Sequence, residues 1–229
     1  MTNLKNYALI LASGTGNRFN SDIPKQFVKI GKKTLLELAI EAFEKIVEID
    51  EIFIVITPEY RNKAEEILKT NNYKKVTKLL NGGEIRKESS YIAVNEVEEV
   101  EANVLIHDCA RPFVSEDIIK NCINALKNNN AVGVAIPTVD TIVEIDGNFI
   151  KKIPERSNLK CIQTPQCFKL SLIKKAHELA KNDNNFTDDC GLIIKYNLDK
   201  VFVVNGSCEN LKITYPNDYY LAEKILEKR

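Results

Sequence analysis

The sequence predicts an α/β fold, a mainly parallel twisted sheet flanked by helices. Three observations carry that prediction. Short apolar runs, several of them rich in β-branched residues, recur at 7–11, 52–57, 76–80, 103–107 and 131–136, as strands buried on both faces do. Stretches with helical spacing separate those runs. Strand and helix therefore alternate, which implies right-handed crossovers, helices on both faces and ligands at the carboxyl ends of the strands. After Pro137 the rhythm breaks, and a β-arm is expected to project over about 138–162. With 229 residues, no internal repeat and no linker-like tract, the chain reads as one domain over 1–229 carrying that arm.

The elements follow in order. YALIL (7–11) is the first strand, and a polar loop leaves it. Helical periodicity begins only near Thr34, where Leu35, Ala39, Ala42, Phe43 and Ile46 share a face. IFIVIT (52–57) is the second strand and 60–70 its helix. Strands at 76–80 and 103–107 then alternate with helices at 88–97 and 115–127 before the strand at 131–136. In the arm, Asp146-Gly147 between strand-like segments signals a two-residue hairpin. Ile142, Ile145, Phe149, Ile150 and Ile153 give it more apolar surface than a solvated hairpin needs, so it reads as a dimerisation element. Helices near 170–181 and 188–196, a strand at 200–204 and a terminal helix from about Asn217 complete the chain.

Composition narrows the function. Lys plus Arg and Asp plus Glu number 32 each, which removes the electrostatic footprint of a nucleic-acid or anionic-membrane binder and points to a small substrate. No apolar run approaches the roughly 18 residues of a membrane span, and the N-terminus does not read as a secretory signal, so a cytoplasmic location is expected. Six cysteines at 109, 122, 161, 167, 190 and 208 include no CxxC pair and read as reduced, mostly buried thiols. Two histidines, His107 and His177, are poor material for a zinc site or a Ser-His-Asp triad.

Three loops after strand ends carry the chemistry. In LILASGTGNRF (9–19), Gly14 and Gly16 allow a tight backbone nest for anionic oxygens, and Arg18 and Lys25 add two cations. A dinucleotide fingerprint would need a third glycine where Phe19 stands, and a Walker loop is absent. Two cations and a nest suit a triphosphate, with a solvated basic loop as the plain alternative. NGGEIRKESS (81–90) offers Gly82, Gly83, Arg86 and Ser89, or else a simple turn with Ser89 as a helix cap. In LIHDCARPF (105–113), Asp108 stands where a strand ends. It is placed to hold Mg²⁺ against phosphate oxygens, or else to pair with Arg111. His107 reads as structural. Thr164, Thr187 and Lys212 follow in IQTPQCF, TDDC and ENLKIT, where TDD also reads as an N-cap.

Taken in order, ASGTGNRF…PKQF, GGEIRKES, HDCARPF, QTPQCF, TDD and NLKIT span nearly the whole chain. The set resembles the CTP-dependent cytidylyltransferases that activate sugar-alcohol phosphates. That group includes the 2-C-methyl-D-erythritol 4-phosphate enzyme of isoprenoid synthesis and the ribitol-5-phosphate enzyme of teichoic-acid and capsule synthesis. The resemblance implies a nucleotide-diphospho-sugar transferase-like, Rossmann-like fold, a homodimer joined through the arm, and Mg²⁺. It implies that Ala12, Ser13, Gly14, Gly16, Arg18 and Lys25 hold CTP, and that Gly82, Gly83, Arg86 and Ser89 frame its base and ribose. Asp108 would bind the metal, with Arg111 beside it. Asp108, Arg111, Thr141, Arg156, Thr164, Thr187 and Lys212 would meet the acceptor or the α-phosphate, Arg156 from the partner subunit.

The chemistry so implied needs no general base, because the acceptor phosphate is already an anion when it attacks the α-phosphorus and pyrophosphate leaves in line. Arg18, Lys25 and Lys212 would be the catalytic cations, working by positioning and charge neutralisation. For the acceptor, IPER in the arm and Lys160, where the methylerythritol branch usually has tryptophan, resemble the ribitol-phosphate branch, whereas TDDC resembles the methylerythritol branch. The expected acceptor is D-ribitol 5-phosphate, with 2-C-methyl-D-erythritol 4-phosphate as the alternative. A nicotinamide-dependent oxidoreductase and a catalytically silent nucleotide-binding dimer are the distant ones.

Overall fold

The computed structural model describes residues 4–14, 23–183 and 185–228. In chain order its elements are β1 (Asn6–Ala12), a short hairpin of β2 (Lys29–Ile30) and β3 (Lys33–Thr34), α1 (Leu35–Glu44), β4 (Glu51–Ile56), α2 (Arg61–Asn71), β5 (Val76–Asn81) and α3 (Arg86–Asn95). They continue with β6 (Asn103–Asp108), α4 (Glu116–Ala125), β7 (Ala131–Pro137), the arm strands β8 (Glu144–Asp146) and β9 (Phe149–Lys152), and β10 (Lys160–Lys169). Then come α5 (Leu170–Leu179), α6 (Asp189–Lys195), β11 (Phe202–Asn205) and α7 (Pro216–Glu227).

Seven strands form the main sheet in the order β11-β7-β10-β6-β1-β4-β5. The β1–β4, β1–β6, β4–β5 and β7–β11 pairs are parallel, as the strand–helix alternation predicts. β10 is the exception and runs antiparallel between β6 and β7. Sequence reading misses it because Pro165 argues against a central strand and Gln163, Thr164 and Gln166 break the apolar pattern. The ladder resolves the first objection: the register shifts between Gln163 and Gln166, so Pro165 falls at the irregularity. Those three polar side chains are buried because each serves a neighbouring loop, as described below.

Alternation along β1 divides the core. Ala8, Ile10 and Ala12 face a layer built on α1, α2, α4 and α7, while Tyr7, Leu9 and Leu11 face α3, α5 and α6. The delayed first helix is capped where the periodicity begins: Thr34 Oγ1 accepts the Glu37 N–H at 3.2 Å, and Glu37 Oε2 accepts the Thr34 N–H at 2.7 Å.

The hairpin forms, with one adjustment to its loop. Asp146 pairs with Phe149, so the two loop residues are Gly147 and Asn148 rather than Asp146 and Gly147. Gly147 takes φ +57, the left-handed region that such a turn demands. Both strands of the arm are fully exposed, including Ile145, Phe149 and Ile150. The last residues of the expected arm, 160–162, belong instead to β10.

Candidate active site

The carboxyl ends of β1, β5 and β6 open onto a cavity of about 640 Å³. Ala12, Ser13, Gly14, Lys25, Arg86, Asp108, Thr187, Lys212 and Thr214 are among the residues that line it. A larger cavity, about 820 Å³, lies behind the Lys25–Phe27 turn with Phe27, Ile67, Tyr219 and Tyr220 in its wall. Its place at the strand carboxyl ends, and the bonds of Arg86 and Lys212 to Asp108, identify the smaller one as the site.

Two loops are drawn together at its rim. Ser13 Oγ and Ser89 Oγ lie 2.6 Å apart, and Ser89 Oγ also accepts the Gly83 N–H at 3.2 Å. A Cβ on Gly82 would fall 2.5 Å from Ser13 Cβ, and one on Gly83 would fall 2.4 Å from Glu88 Cβ. Both glycines are therefore needed for close approach of protein to protein. Among the described residues nothing lies within 4 Å of where a Gly14 Cβ would stand. Ser89 is not a helix cap: α3 begins at Arg86, and Ser89 sits within its first turn as the tie to Ser13. Gly16 and Arg18 lie outside the described residues.

Asp108 ends β6 at the cavity floor. Arg86 Nε donates to its Oδ1 at 2.9 Å and Lys212 Nζ to its Oδ2 at 2.7 Å. Burial alone would raise the Asp108 carboxyl, but the Arg86 and Lys212 charges outweigh it and hold the group well below the usual carboxylate range. Among the described residues these two cations are its ion-pair partners, so the Asp108–Arg111 pair of the alternative reading is not formed. Arg111 reaches elsewhere, donating from Nη1 to the Asn210 carbonyl at 2.8 Å, and its backbone N–H closes a turn on the Asp108 carbonyl. Its guanidinium thus anchors the segment that carries Lys212. Lys25 Nζ donates to the Ile213 carbonyl at 2.8 Å, tying the first loop to the same segment.

Thr164 stands behind Asp108, only 4% exposed, where its hydroxyl accepts the Asp108 N–H at 3.1 Å and lies 3.1 Å from His107 Nδ1. His107 is structural, as its sequence context suggests: its Nε2 lies 3.0 Å from the Arg111 carbonyl, and burial lowers its pKa to about 4. Thr187 lines the cavity. Thr141 and Arg156 do not; Arg156 Nη2 donates to Thr141 Oγ1 at 2.8 Å within the exposed arm.

Four participants escape sequence reading. Gln163 Oε1 and the Thr164 carbonyl both accept from Asn210 Nδ2, at 3.1 and 2.9 Å, fixing the approach to Lys212. Gln166 Oε1 accepts the N–H groups of Asp189 and Cys190, both at 2.9 Å, and so pins the start of α6. Asp189 pairs with Arg86 Nη1 at 2.7 Å. The only sequence signal was polarity inside QTPQ and a second aspartate in TDD. Four of the six cysteines are buried and all are free thiols. Among the described residues no three His, Cys, Asp or Glu side chains converge as a metal cluster, and no helix is long and apolar enough to cross a membrane.

Solved structures share this frame. The 4-diphosphocytidyl-2C-methyl-D-erythritol synthase of Anaerococcus prevotii aligns with TM-score 0.87 and 30% identity, covering 98% of this chain and 97% of that one. The cytidylyltransferase of Francisella tularensis aligns with TM-score 0.81 and 30% identity, covering 96% and 99%. The sheet and its cation-lined cavity thus define a nucleotidyltransferase of the cytidylyltransferase class. Residues 7–228 match the family described as 2-C-methyl-D-erythritol 4-phosphate cytidylyltransferase (IspD), and the chain belongs to that family. The Thermobifida fusca protein of the same name is 37% identical over 229 residues, 96% of this chain and 92% of that protein. The Haemophilus influenzae bifunctional ribulose 5-phosphate reductase/CDP-ribitol pyrophosphorylase Bcs1 is 39% identical over 235 residues, taking in 100% of this chain and 50% of that protein.

Proposed function

We propose that the chain transfers CMP from CTP to D-ribitol 5-phosphate, releasing pyrophosphate and forming a CDP-polyol. One observation carries the transferase reading: Lys25, Arg86 and Lys212 line one cavity with Asp108, to which Arg86 and Lys212 both donate, and no histidine lines it among the described residues. Those cations neutralise phosphate charge, and attack by an already anionic phosphate oxygen on an α-phosphorus needs that neutralisation rather than a general base. Lys25 and Lys212, with Arg18 from the first loop, share the charge of the transition state. In the free enzyme Lys212 rests on Asp108 and Lys25 donates to the Ile213 carbonyl, positions from which both can turn to phosphate oxygens.

Asp108 is the residue that would hold Mg²⁺. Among the described residues each of its oxygens has one hydrogen-bond partner and keeps lone-pair capacity, and a hard cation that takes one or two carboxylates and completes its shell from phosphate and water fits that donor. Bound there, the ion would supply further neutralisation of the triphosphate. The arm, with its uncovered Ile145, Phe149 and Ile150, joins two copies and brings Thr141 and Arg156 to the partner's acceptor site.

IPER and Lys160, together with the similarity of the whole of this chain to half of the Haemophilus protein, support the ribitol acceptor. The family description and the Thermobifida relative favour 2-C-methyl-D-erythritol 4-phosphate as the second reading. Pyrophosphate release from CTP and Mg²⁺ with each acceptor in turn tests both. The highest kcat/KM is expected with ribitol 5-phosphate; a preference for methylerythritol phosphate selects the second reading. Equal turnover of ATP or UTP overturns the nucleotide assignment.

A further inference from the structure

The pair Asp188-Asp189 reads in sequence as a single capping signal, and the structure divides it. Asp188 does the capping: its Oδ1 accepts the Gly191 N–H at 3.0 Å, and its Oδ2 accepts Gln166 Nε2 at 2.8 Å. Asp189 takes no part in that cap. It is 1% exposed, with Oδ2 accepting from Arg86 Nη1 at 2.7 Å and Oδ1 from Ser90 Oγ at 2.5 Å, while His177 Nε2 lies 3.4 Å from Oδ1. A carboxylate so fully removed from water is costly unless a cation meets it, and Arg86 is the Lys or Arg that pairs with it among the described residues.

Arg86 is accordingly stretched between two carboxylates. Nε serves Asp108, Nη1 serves Asp189, and Nη2 has no acceptor among the described residues. A guanidinium facing one carboxylate tends toward a two-point fork, with parallel N–H bonds to both oxygens. Here the pull of Asp189 keeps the contact with Asp108 to one point, on Oδ1, and Oδ2 stays with Lys212.

We propose that Asp189 is a positioning residue for the nucleotide site: it fixes the Arg86 guanidinium so that Asp108 and Lys212 keep their places in the cavity. The inference rests on the transferase reading above. Removing the Asp189 charge frees Arg86 to fork onto Asp108, which draws Oδ2 away from Lys212 and turns Arg86 away from its place in the cavity wall. Of the side chains that meet the Asp189 carboxylate, Arg86 is the one that lines the cavity, so the effect on the site vanishes when Arg86 cannot carry it.

A double-mutant cycle tests this, read both as the Kd for CTP without acceptor and as kcat for pyrophosphate release. Asp189→Asn is expected to raise the Kd and lower kcat, each about tenfold, yet to change either by less than about twofold in the Arg86→Gln background. Equal effects in the two backgrounds, or wild-type values for Asp189→Asn, overturn the proposal. If Asp189→Asn does not fold, Asp189→Glu keeps the charge, displaces it by one methylene and is read in the same cycle. A wild-type chain that binds CTP but releases no pyrophosphate with any acceptor overturns the transferase reading, and the Kd cycle still decides the role of Asp189.

Discussion

At the scale of the residue, Lys25 and Lys212 occupy the cavity at the end of a chain of buried commitments. Thr164 orients Asp108, Asp108 receives Lys212, and Arg111 and Asn210 hold the segment on which Lys212 rides. Lys25→Ala or Lys212→Ala is expected to lower kcat by about 10²–10³, equivalent to roughly 2.7–4 kcal/mol for one preorganised donor, as measured by pyrophosphate release at saturating substrates. His107 makes a separate prediction, about stability. Burial lowers its pKa from the ordinary value of about 6.5 to about 4, so between those values the unfolded chain binds a proton that the folded chain refuses. Stability therefore falls as pH drops from about 6.5 toward 4, by up to about 1.4 kcal/mol per unit. His107→Gln should flatten the dependence of the melting temperature on pH across that window, seen by thermal denaturation at a series of pH values.

At the scale of the element, two features are set by what surrounds them. The β5–α3 loop lies so close to Ser13 that Gly82→Ala has to displace one strand-end loop or the other, at a cost of about 1–3 kcal/mol. A lower denaturation midpoint at unchanged m-value would show it. The arm presents Ile145, Phe149 and Ile150 on strands with no cover of their own. If a second copy covers them, Phe149→Asp places a charge in the joint. Light scattering at micromolar concentration should then report monomer where the wild type is a dimer, with the fold intact by circular dichroism.

At the scale of the whole molecule, the parallel β1–β4–β5 and β1–β6 ladders bring to one end of the sheet loops that lie far apart in sequence. A ligand gripped by several of those loops stabilises the entire domain, and at a hundredfold excess over its Kd the gain is about 2.7 kcal/mol. CTP should therefore raise the melting temperature, ATP at the same concentration should raise it far less, and Lys25→Ala should lose most of the CTP effect. The sheet, the late capped start of α1 and the hairpin were legible in the sequence because each rests on local causes: apolar period, the Thr34–Glu37 box, and a glycine that tolerates positive φ. The positions of Gly14 and Asp108 beside the cavity were legible as well, since both follow directly from the strand ends at which they stand. β10 was not, because its proline and buried glutamines make sense only once Asn210 and the start of α6 are seen to need them. Nor were the partners of Asp108 and the separate tasks of Asp188 and Asp189. By itself, then, the sequence determined the strands and helices apart from β10, and the strand ends at which Ser13, Gly14, Arg86 and Asp108 gather. Only the tertiary structure decided which charges pair, because a buried carboxylate takes the cations that packing brings within reach, and Arg86 and Lys212 lie 22 and 104 residues from Asp108 along the chain.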